Sequence, residues 1–328
     1  MTVPTWPATQ NFLTAEERDE KAAACLPAFR AACANMQIQE DLSALIASHY
    51  LPLSAWLEQL RGHLGRPLVV GLTGGQGSGK STVSALLSTV LEHAFGARAV
   101  PLSIDDLYLT HAERQQLGRD VHPLLATRGP PGTHDVALGQ RVIAQLPHLC
   151  AQSEMTVPAF DKATDDRLAA EHWPVVSGPV DFVLFEGWCV NATATDEASL
   201  EPAINQLETN EDQAQQWRRY VNDALAGPYR ALFDRIDVQI MLNVGSMDRV
   251  FEWRELQERK LRERVKAAGQ QLNLRVMDPD AVVRFIHHYE RITRRLLAEM
   301  PETADIVFAV DEQHNPAEVR INRVLDVG

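Results

Sequence analysis

Residues 68–87 read LVVGLTGGQGSGKSTVSALL. An apolar run comes first, a glycine-rich turn second, a helical pattern third. Gly74, four residues, then Gly79-Lys80-Ser81 is the spacing of a phosphate-binding loop (P-loop). Glycines let backbone N–H groups face inward around phosphate oxygens. The first turn of the following helix adds its free N–H groups and the positive end of its dipole. The cradle predicted here is Gly74, Gly75, Gln76, Gly77, Ser78, Gly79, Lys80, Ser81 and Thr82. In such a cradle Lys80 reaches the β- and γ-phosphates of a nucleoside triphosphate, and the Ser81 hydroxyl binds Mg²⁺.

Downstream of Leu68, short apolar runs alternate with helical patterns. The runs are LVVGL (68–72), AVPLSI (99–104), DFVLF (181–185), IDVQIMLNV (236–244) and ADIVFAV (304–310). This alternation predicts an α/β fold: a doubly wound, five-stranded parallel sheet of the P-loop NTPase kind, with helices on both faces. About 75 residues separate the second and third runs. An ordinary crossover is far shorter, so residues 106–180 read as a substrate-binding or lid insertion within a domain spanning 67–328. Residues 1–66 read as a helical N-terminal extension that serves in packing or in a dimer contact. Thr14 and Glu17 are spaced as a capping box, Pro27 and Pro52 punctuate the helices, and Gly65 stops the last one. Two long helices are expected later. Ser246 caps one that Gly269 ends, with Val250, Trp253, Leu261 and Val265 facing inward. Asp278 caps the other, with Pro279 in its first turn and Pro301 just beyond its end.

The totals exclude several classes. The chain has 328 residues, 45% of them hydrophobic, and a net charge of −13. That sign argues against nucleic-acid partners, which require clustered Lys and Arg. No apolar run approaches the ~20 residues needed to span a bilayer. The N-terminus has neither the basic start nor the apolar core of a secretory signal. The four cysteines, at 25, 33, 150 and 189, have no metal-ligand or redox spacing. Reduced, buried thiols in a cytoplasmic protein are expected.

Ligands in such a sheet sit beyond the C-terminal ends of its strands. Two predicted strands run into acids there, at Asp105-Asp106 and at Glu186. One carboxylate in that place can take a proton from an attacking hydroxyl, and another can hold Mg²⁺. The alternative is that they are ordinary solvated acids. Asp106 is the weaker candidate and would cap the turn. The insertion brings cations to the same mouth: Arg128 and His134 in LLATRGPPGTHD (124–135), Lys162 and Arg167 in VPAFDKATDDR (157–167). They suit a small anionic substrate, since Arg grips a carboxylate with two parallel bonds; surface ion pairing is the other reading. Arg254, Glu258 and Arg262 share one face of the helix after the fourth strand. Such a helix can close over a triphosphate and place an arginine on the transferred group, or carry a solvated charged face. His287 and His288 read as packing residues.

These landmarks together resemble the D-glycerate 3-kinases of the plant and fungal P-loop type, from Leu68 to about Arg320. They are GLTGGQGSGKST (71–82), SIDDLYLT (103–110), TRGPPGTHD (127–135), VPAFDKATDDR, VLFEGW (183–188), YVNDAL (220–225), FEWRELQE (251–258) and DEQHNP (311–316). The wider group includes pantothenate kinase, uridine kinase and phosphoribulokinase. The resemblance implies transfer of the γ-phosphoryl of Mg·ATP to the 3-hydroxyl of D-glycerate. It makes Asp105 the catalytic base and Lys80, Glu186 and Arg254 its catalytic companions. Ser81, Glu186 and Asp105 would surround the metal. Arg128, His134, Lys162, Arg167 and Asn222 would hold the acceptor, with Arg128 and Arg167 on its carboxylate. Pantothenate or another hydroxyl compound is the alternative acceptor. A GTP-hydrolysing switch or metal chaperone is the alternative class, but the sequence has no Asn-Lys-x-Asp motif and no cysteine pair. Residues 1–66 and 191–215 fall outside the resemblance. Phe160 stands where the nucleoside and ribulose kinases commonly have Tyr.

Overall fold

The computed structural model describes residues 6–267, 277–312 and 315–325, without the side chains at 260, 261 and 264–267. In chain order, α1 (Ala15–Asn35) and α2 (Leu51–Leu64) precede β1 (Leu68–Gly74), α3 (Lys80–Phe95) and β2 (Ala99–Ser103). The insertion holds α4 (His111–Asp120), α5 (Val136–Gln145) and four short strands: β3 (Glu154–Thr156), β4 (Phe160–Asp161), β5 (Asp166–Arg167) and β6 (Val175–Ser177). Then come β7 (Phe182–Gly187), α6 (Glu197–Leu200), α7 (Gln206–Glu211), α8 (Gln216–Ala224), α9 (Arg230–Phe233) and β8 (Val238–Asn243). The chain continues through α10 (Met247–Ala267), α11 (Pro279–Thr303), β9 (Ile306–Val310) and β10 (Pro316–Ile321).

The main sheet has six strands in the order β10-β9-β8-β1-β7-β2. Five are parallel, as expected. The sixth is a correction: β10 pairs antiparallel with β9 at one edge. Its exposed and half-exposed residues contribute only Val319 and Ile321 as large apolar side chains, so it carries no buried-strand signal. The P-loop strand β1 is central, and all seven of its residues are buried. The order reverses beside it, because β2 and β7 lie on one flank and β8 and β9 on the other. That is the switch point where open α/β sheets bind ligands. Pro101 is tolerated in β2 because this strand is the opposite edge and the residue is exposed.

One core cluster packs Leu68, Leu86 and Phe182 with Phe29, Trp56 and Leu57 of α1 and α2. The N-terminal helices therefore cover a sheet face directly. The capping box at Thr14 and Glu17 is formed, and Gly65 ends α2 in the left-handed conformation. Two proline expectations are corrected. Pro27 lies inside α1 and does not break it, and α11 runs through Pro301 to Thr303. Val250 and Trp253 face inward as predicted, while the side chains of Leu261 and Val265, and all of Gly269, fall outside what the structure describes. The second face buries Phe185, Tyr229, Leu232 and Tyr289. Cys25, Cys33 and Cys189 are buried free thiols, but Cys150 is exposed, contrary to expectation. Among the described residues no helix is long and apolar enough to cross a membrane.

Burial lowers three imidazoles, His49, His134 and His288, to about 4. Unfolded histidines protonate near the ordinary value of about 6.5, so the unfolded chain binds protons that the fold refuses as pH falls toward 4. Asp106 opposes this, because burial raises its carboxyl to about 6. Three groups against one leave a net loss of stability. Denaturant unfolding at pH 7.5, 6.5 and 5.5 should show the midpoint falling stepwise; an unchanged midpoint contradicts the burial of these imidazoles.

Candidate active site

The glycine turn leaves β1 at the carboxyl edge of the sheet. Gly77 and Gly79 have φ of 80° and 83°, a region open to glycine and strained for other residues. A Cβ on Gly77 would also sit 3.0 Å from the Trp253 Cβ, so α10 packs directly on the loop. Helix α3 begins after Gly79 with no side-chain cap, leaving its first N–H groups for an anion. Lys80 Nζ curls back over the turn and donates to the carbonyls of Gly74 (2.9 Å) and Gly75 (3.0 Å). The buried Ser78 Oγ and Gln76 Oε1 have no hydrogen-bond partner among the described residues.

Strand register sets the acids. Strand β7 lies between β1 and β2, and Glu186 is level with Leu72 on one side and Ser103 on the other. Glu186 is only 7% exposed, and its Oε1 accepts from Ser81 Oγ at 2.9 Å. The pair offers hard oxygen ligands of the kind Mg²⁺ takes alongside substrate phosphates. Among the described residues no cluster of His, Cys, Asp and Glu forms an all-protein metal cage. Asp105 sits two residues beyond Ser103, in the single turn Ile104–Leu107. Tyr108 Oη donates to its Oδ1 at 2.8 Å and Lys162 Nζ to its Oδ2 at 2.7 Å. Burial pushes the Asp105 carboxyl up, but Lys162 and Tyr108 outweigh it and hold it below the ordinary value. Burial pushes the Lys80 ammonium down, with Glu186 and Asp105 opposing. Asp106 is not the cap of its turn, a place taken by Ser103: its Oδ1 instead accepts from the Phe160 N–H at 3.1 Å and anchors the β4–β5 hairpin.

The insertion folds its cations around this acid pair, each with a partner of its own. Arg128 pairs with Asp165 and lies over the Phe160 ring. Arg167 turns to Asp135 at 3.1 Å and Glu113 at 3.8 Å. Lys162, at the hairpin tip, is on Asp105. His134 is not a cation: it is 5% exposed, burial lowers it to about 4, and its ring stacks on Tyr108 with centroids 4.5 Å apart. Asn222 is not gathered here. Its amide bonds the backbone of Thr195 at both ends and lines a separate cavity of about 200 Å³ between α8 and α11. Arg254 pairs with Glu258, lies over the Phe285 ring and is lowered by burial against the pull of Glu258. His287 and His288 pack against Phe251 and Trp217.

No family model matches the chain. The uncharacterized kinase mug58 of Schizosaccharomyces pombe is 32% identical over 232 residues, 69% of this chain and 79% of its own length. The chloroplastic D-glycerate 3-kinase of Arabidopsis thaliana is 28% identical over 296 residues; the match takes in 83% of this chain but only 61% of the plant protein. Among solved structures, the D-glycerate 3-kinase of Cryptococcus neoformans superposes with a TM-score of 0.68 at 24% identity, over 83% of this chain and 98% of that one. This chain belongs to the P-loop kinases related to D-glycerate 3-kinase. It is a phosphotransferase of the nucleotide-binding P-loop kind.

Several residues around this kinase's acid pair were not anticipated. Tyr108 was within reach of sequence reasoning, since a residue three beyond Asp105 in a tight turn comes back over the carboxylate. Tyr229 and Tyr289 were not, because 95 and 161 residues separate them from their partners His134 and Arg128. Trp188 donates to the Gly129 carbonyl at 3.2 Å. Gly129, at φ 129°, leaves room that a Cβ would take from Tyr289, whose hydroxyl would lie 2.0 Å away.

Lys80 is bonded only to backbone carbonyls and near carboxylates, so its loss should spare the fold. Lys80→Ala should keep the wild-type circular dichroism and lower ADP release by roughly 10²-fold or more, since a cation on the transferred phosphoryl is worth several kcal/mol. Turnover within a few-fold of wild type contradicts the role.

Proposed function

We propose that this kinase transfers the γ-phosphoryl of ATP to the 3-hydroxyl of D-glycerate, giving 3-phosphoglycerate and ADP in the cytoplasm. The observation that carries the reading is Asp105: a carboxylate held below its ordinary pKa, two residues beyond the Ser103 that pairs with Glu186, and oriented by Tyr108. A base so held accepts the proton of an attacking hydroxyl while the nucleotide lies on the neighbouring turn. The likeness to the chloroplastic D-glycerate 3-kinase of Arabidopsis thaliana supports glycerate as the acceptor.

The roles follow from what each side chain touches. Lys80 leaves its carbonyls for the phosphates, so charge developing on the transferred group meets a cation already in place. Ser81 and Glu186 would hold Mg²⁺, which supplies further charge neutralisation at the phosphates. Lys162 exchanges its contact with Asp105 for the acceptor's carboxylate, releasing the base as the substrate arrives. Arg128, beside Lys162, adds its charge to that carboxylate. Arg167, tied to Asp135 and Glu113, acts by holding the pocket wall. Arg254 reaches the transferred group from α10, since Trp253 next to it already packs on Gly77. Phe160, Tyr108 and His134 pack ring against ring beside Asp105 and would form an apolar wall for a small acid.

Asp105→Asn should lower turnover by about 10²-fold or more with a far smaller change in the KM for D-glycerate, because a base acts in the transition state. Glu186→Gln should instead raise the Mg²⁺ concentration needed for half-maximal rate. NMR of the product from D-glycerate tests the reaction itself: 2-phosphoglycerate reverses the regiochemistry, and ADP release with pantothenate but not with D-glycerate rejects the acceptor.

A further inference from the structure

The hydrogen bonds behind His134 determine which ring nitrogen carries its proton. Tyr229 is fully buried, and its oxygen accepts the Gly132 N–H at 2.9 Å. The same oxygen lies within hydrogen-bond distance of His134 Nδ1. A phenol has one hydrogen to give, and among the described residues only His134 Nδ1 is placed to take it. If Nδ1 carried a proton, two N–H groups would crowd one phenol oxygen and its own hydrogen would be buried without an acceptor. Tyr229 therefore donates to Nδ1, and the proton of the neutral ring is on Nε2. Protonating both nitrogens would break this arrangement and charge a ring that burial already keeps neutral down to about 4.

Nε2 is buried and has no hydrogen-bond partner among the described residues. The ring belongs to the acid pocket: Tyr108 stacks on one face of it while bonding Asp105, and Asp105 acts electrostatically on the imidazole. Backbone bonds from Leu109 N to Thr133 O (2.9 Å) and from Asp135 N to Leu107 O (2.6 Å) strap the His134 loop to the Asp105 turn. The ring cannot drift from the carboxylate without breaking them. A desolvated N–H donor beside the Asp105 carboxylate, without an acceptor among the described residues, is costly unless a ligand supplies one.

We propose that His134 reads the acceptor as a neutral Nε2–H donor, hydrogen-bonded to a substrate oxygen other than the one phosphorylated, with Tyr229 as the positioning residue that fixes the tautomer. This rests on the acceptor pocket proposed above. It assigns the pocket's selectivity for a polyfunctional small acid, with a carboxylate or second hydroxyl beside the reacting one, to a dipole. A charge there would repel Lys162 and Arg128.

The test is ¹⁵N NMR of the full chain labelled at histidine, with His134→Gln identifying the resonance. At pH 7 the ring should show a protonated Nε2 and an unprotonated Nδ1, and saturating D-glycerate should shift Nε2. 3-Hydroxypropionate, which keeps the carboxylate and lacks the 2-hydroxyl, tells which oxygen is read: a retained shift names the carboxylate and a lost one the hydroxyl. Tyr229→Phe should mix the tautomers and raise the KM for the acceptor about tenfold, with the KM for ATP and the circular dichroism unchanged. A proton on Nδ1, an imidazolium at pH 7, or an Nε2 signal indifferent to any acceptor that supports ADP release overturns the proposal. A shift with pantothenate and none with D-glycerate rejects glycerate as the acceptor and leaves the role of His134 standing.

Discussion

Charge crowded at one edge of a parallel sheet is the constraint on which this molecule depends. Parallel strands deliver their carboxyl ends to the same side, so Lys80, Glu186 and Asp105 emerge together beyond β1, β7 and β2. Any one of these charges, desolvated alone, would be costly. They are tolerable because signs alternate and hydrogen bonds close the remaining valences. Lys80 is held between carbonyls and acids, Glu186 takes the Ser81 hydroxyl, and Asp105 takes Tyr108 and Lys162. The same crowding makes the place reactive: a carboxylate kept ionised stands near a cation kept partly dry.

Much of the remaining chain serves to hold that edge. The insertion is organised by Asp165, which receives Arg114 and Arg128 from two different segments, and by Asp106, which pins the hairpin carrying Lys162. Arg114 is 1% exposed and bonds three backbone carbonyls as well, so it acts as an internal strut. Helix α11 touches both α10 and the insertion. Its Phe285 lies under Arg254 of α10, and its Tyr289 bonds the Arg128 carbonyl and packs on Trp188. A shift of α11 would move α10 and the Arg128 segment at once. The segment 191–215 is anchored to the same helix by Glu208, fully buried between Arg218 and Arg291.

Local signals carried a large share of this. Glycines at 74, 75, 77 and 79 before Lys80 dictate a phosphate cradle because backbone geometry there is set by a few neighbouring residues. Five continuous apolar runs were legible as strands because both faces of a parallel sheet are buried. Asp105 and Glu186 were legible because each follows such a run directly. The antiparallel β10 was not, since a solvent-facing edge strand needs few apolar residues. Pro27 and Pro301 misled as helix breaks, because packing on the sheet outweighs one lost backbone bond.

The amino-acid sequence by itself thus determined the sheet, the phosphate cradle and the two acids, all of which rest on short-range patterns. Tertiary structure alone decided how the pocket's cations and aromatics are used. Arg128 and Arg167 read in the chain either as cations for a substrate or as ion-paired, and only folding shows Asp165, Asp135 and Glu113 beside them. His134 reads as a cation too, until burial and the Tyr229 hydroxyl, 95 residues away in sequence, make it a neutral donor. The physical reason is the same in each case: protonation state and hydrogen-bond role depend on which groups are near in space and how much water is left, and neither is a property of sequence spacing.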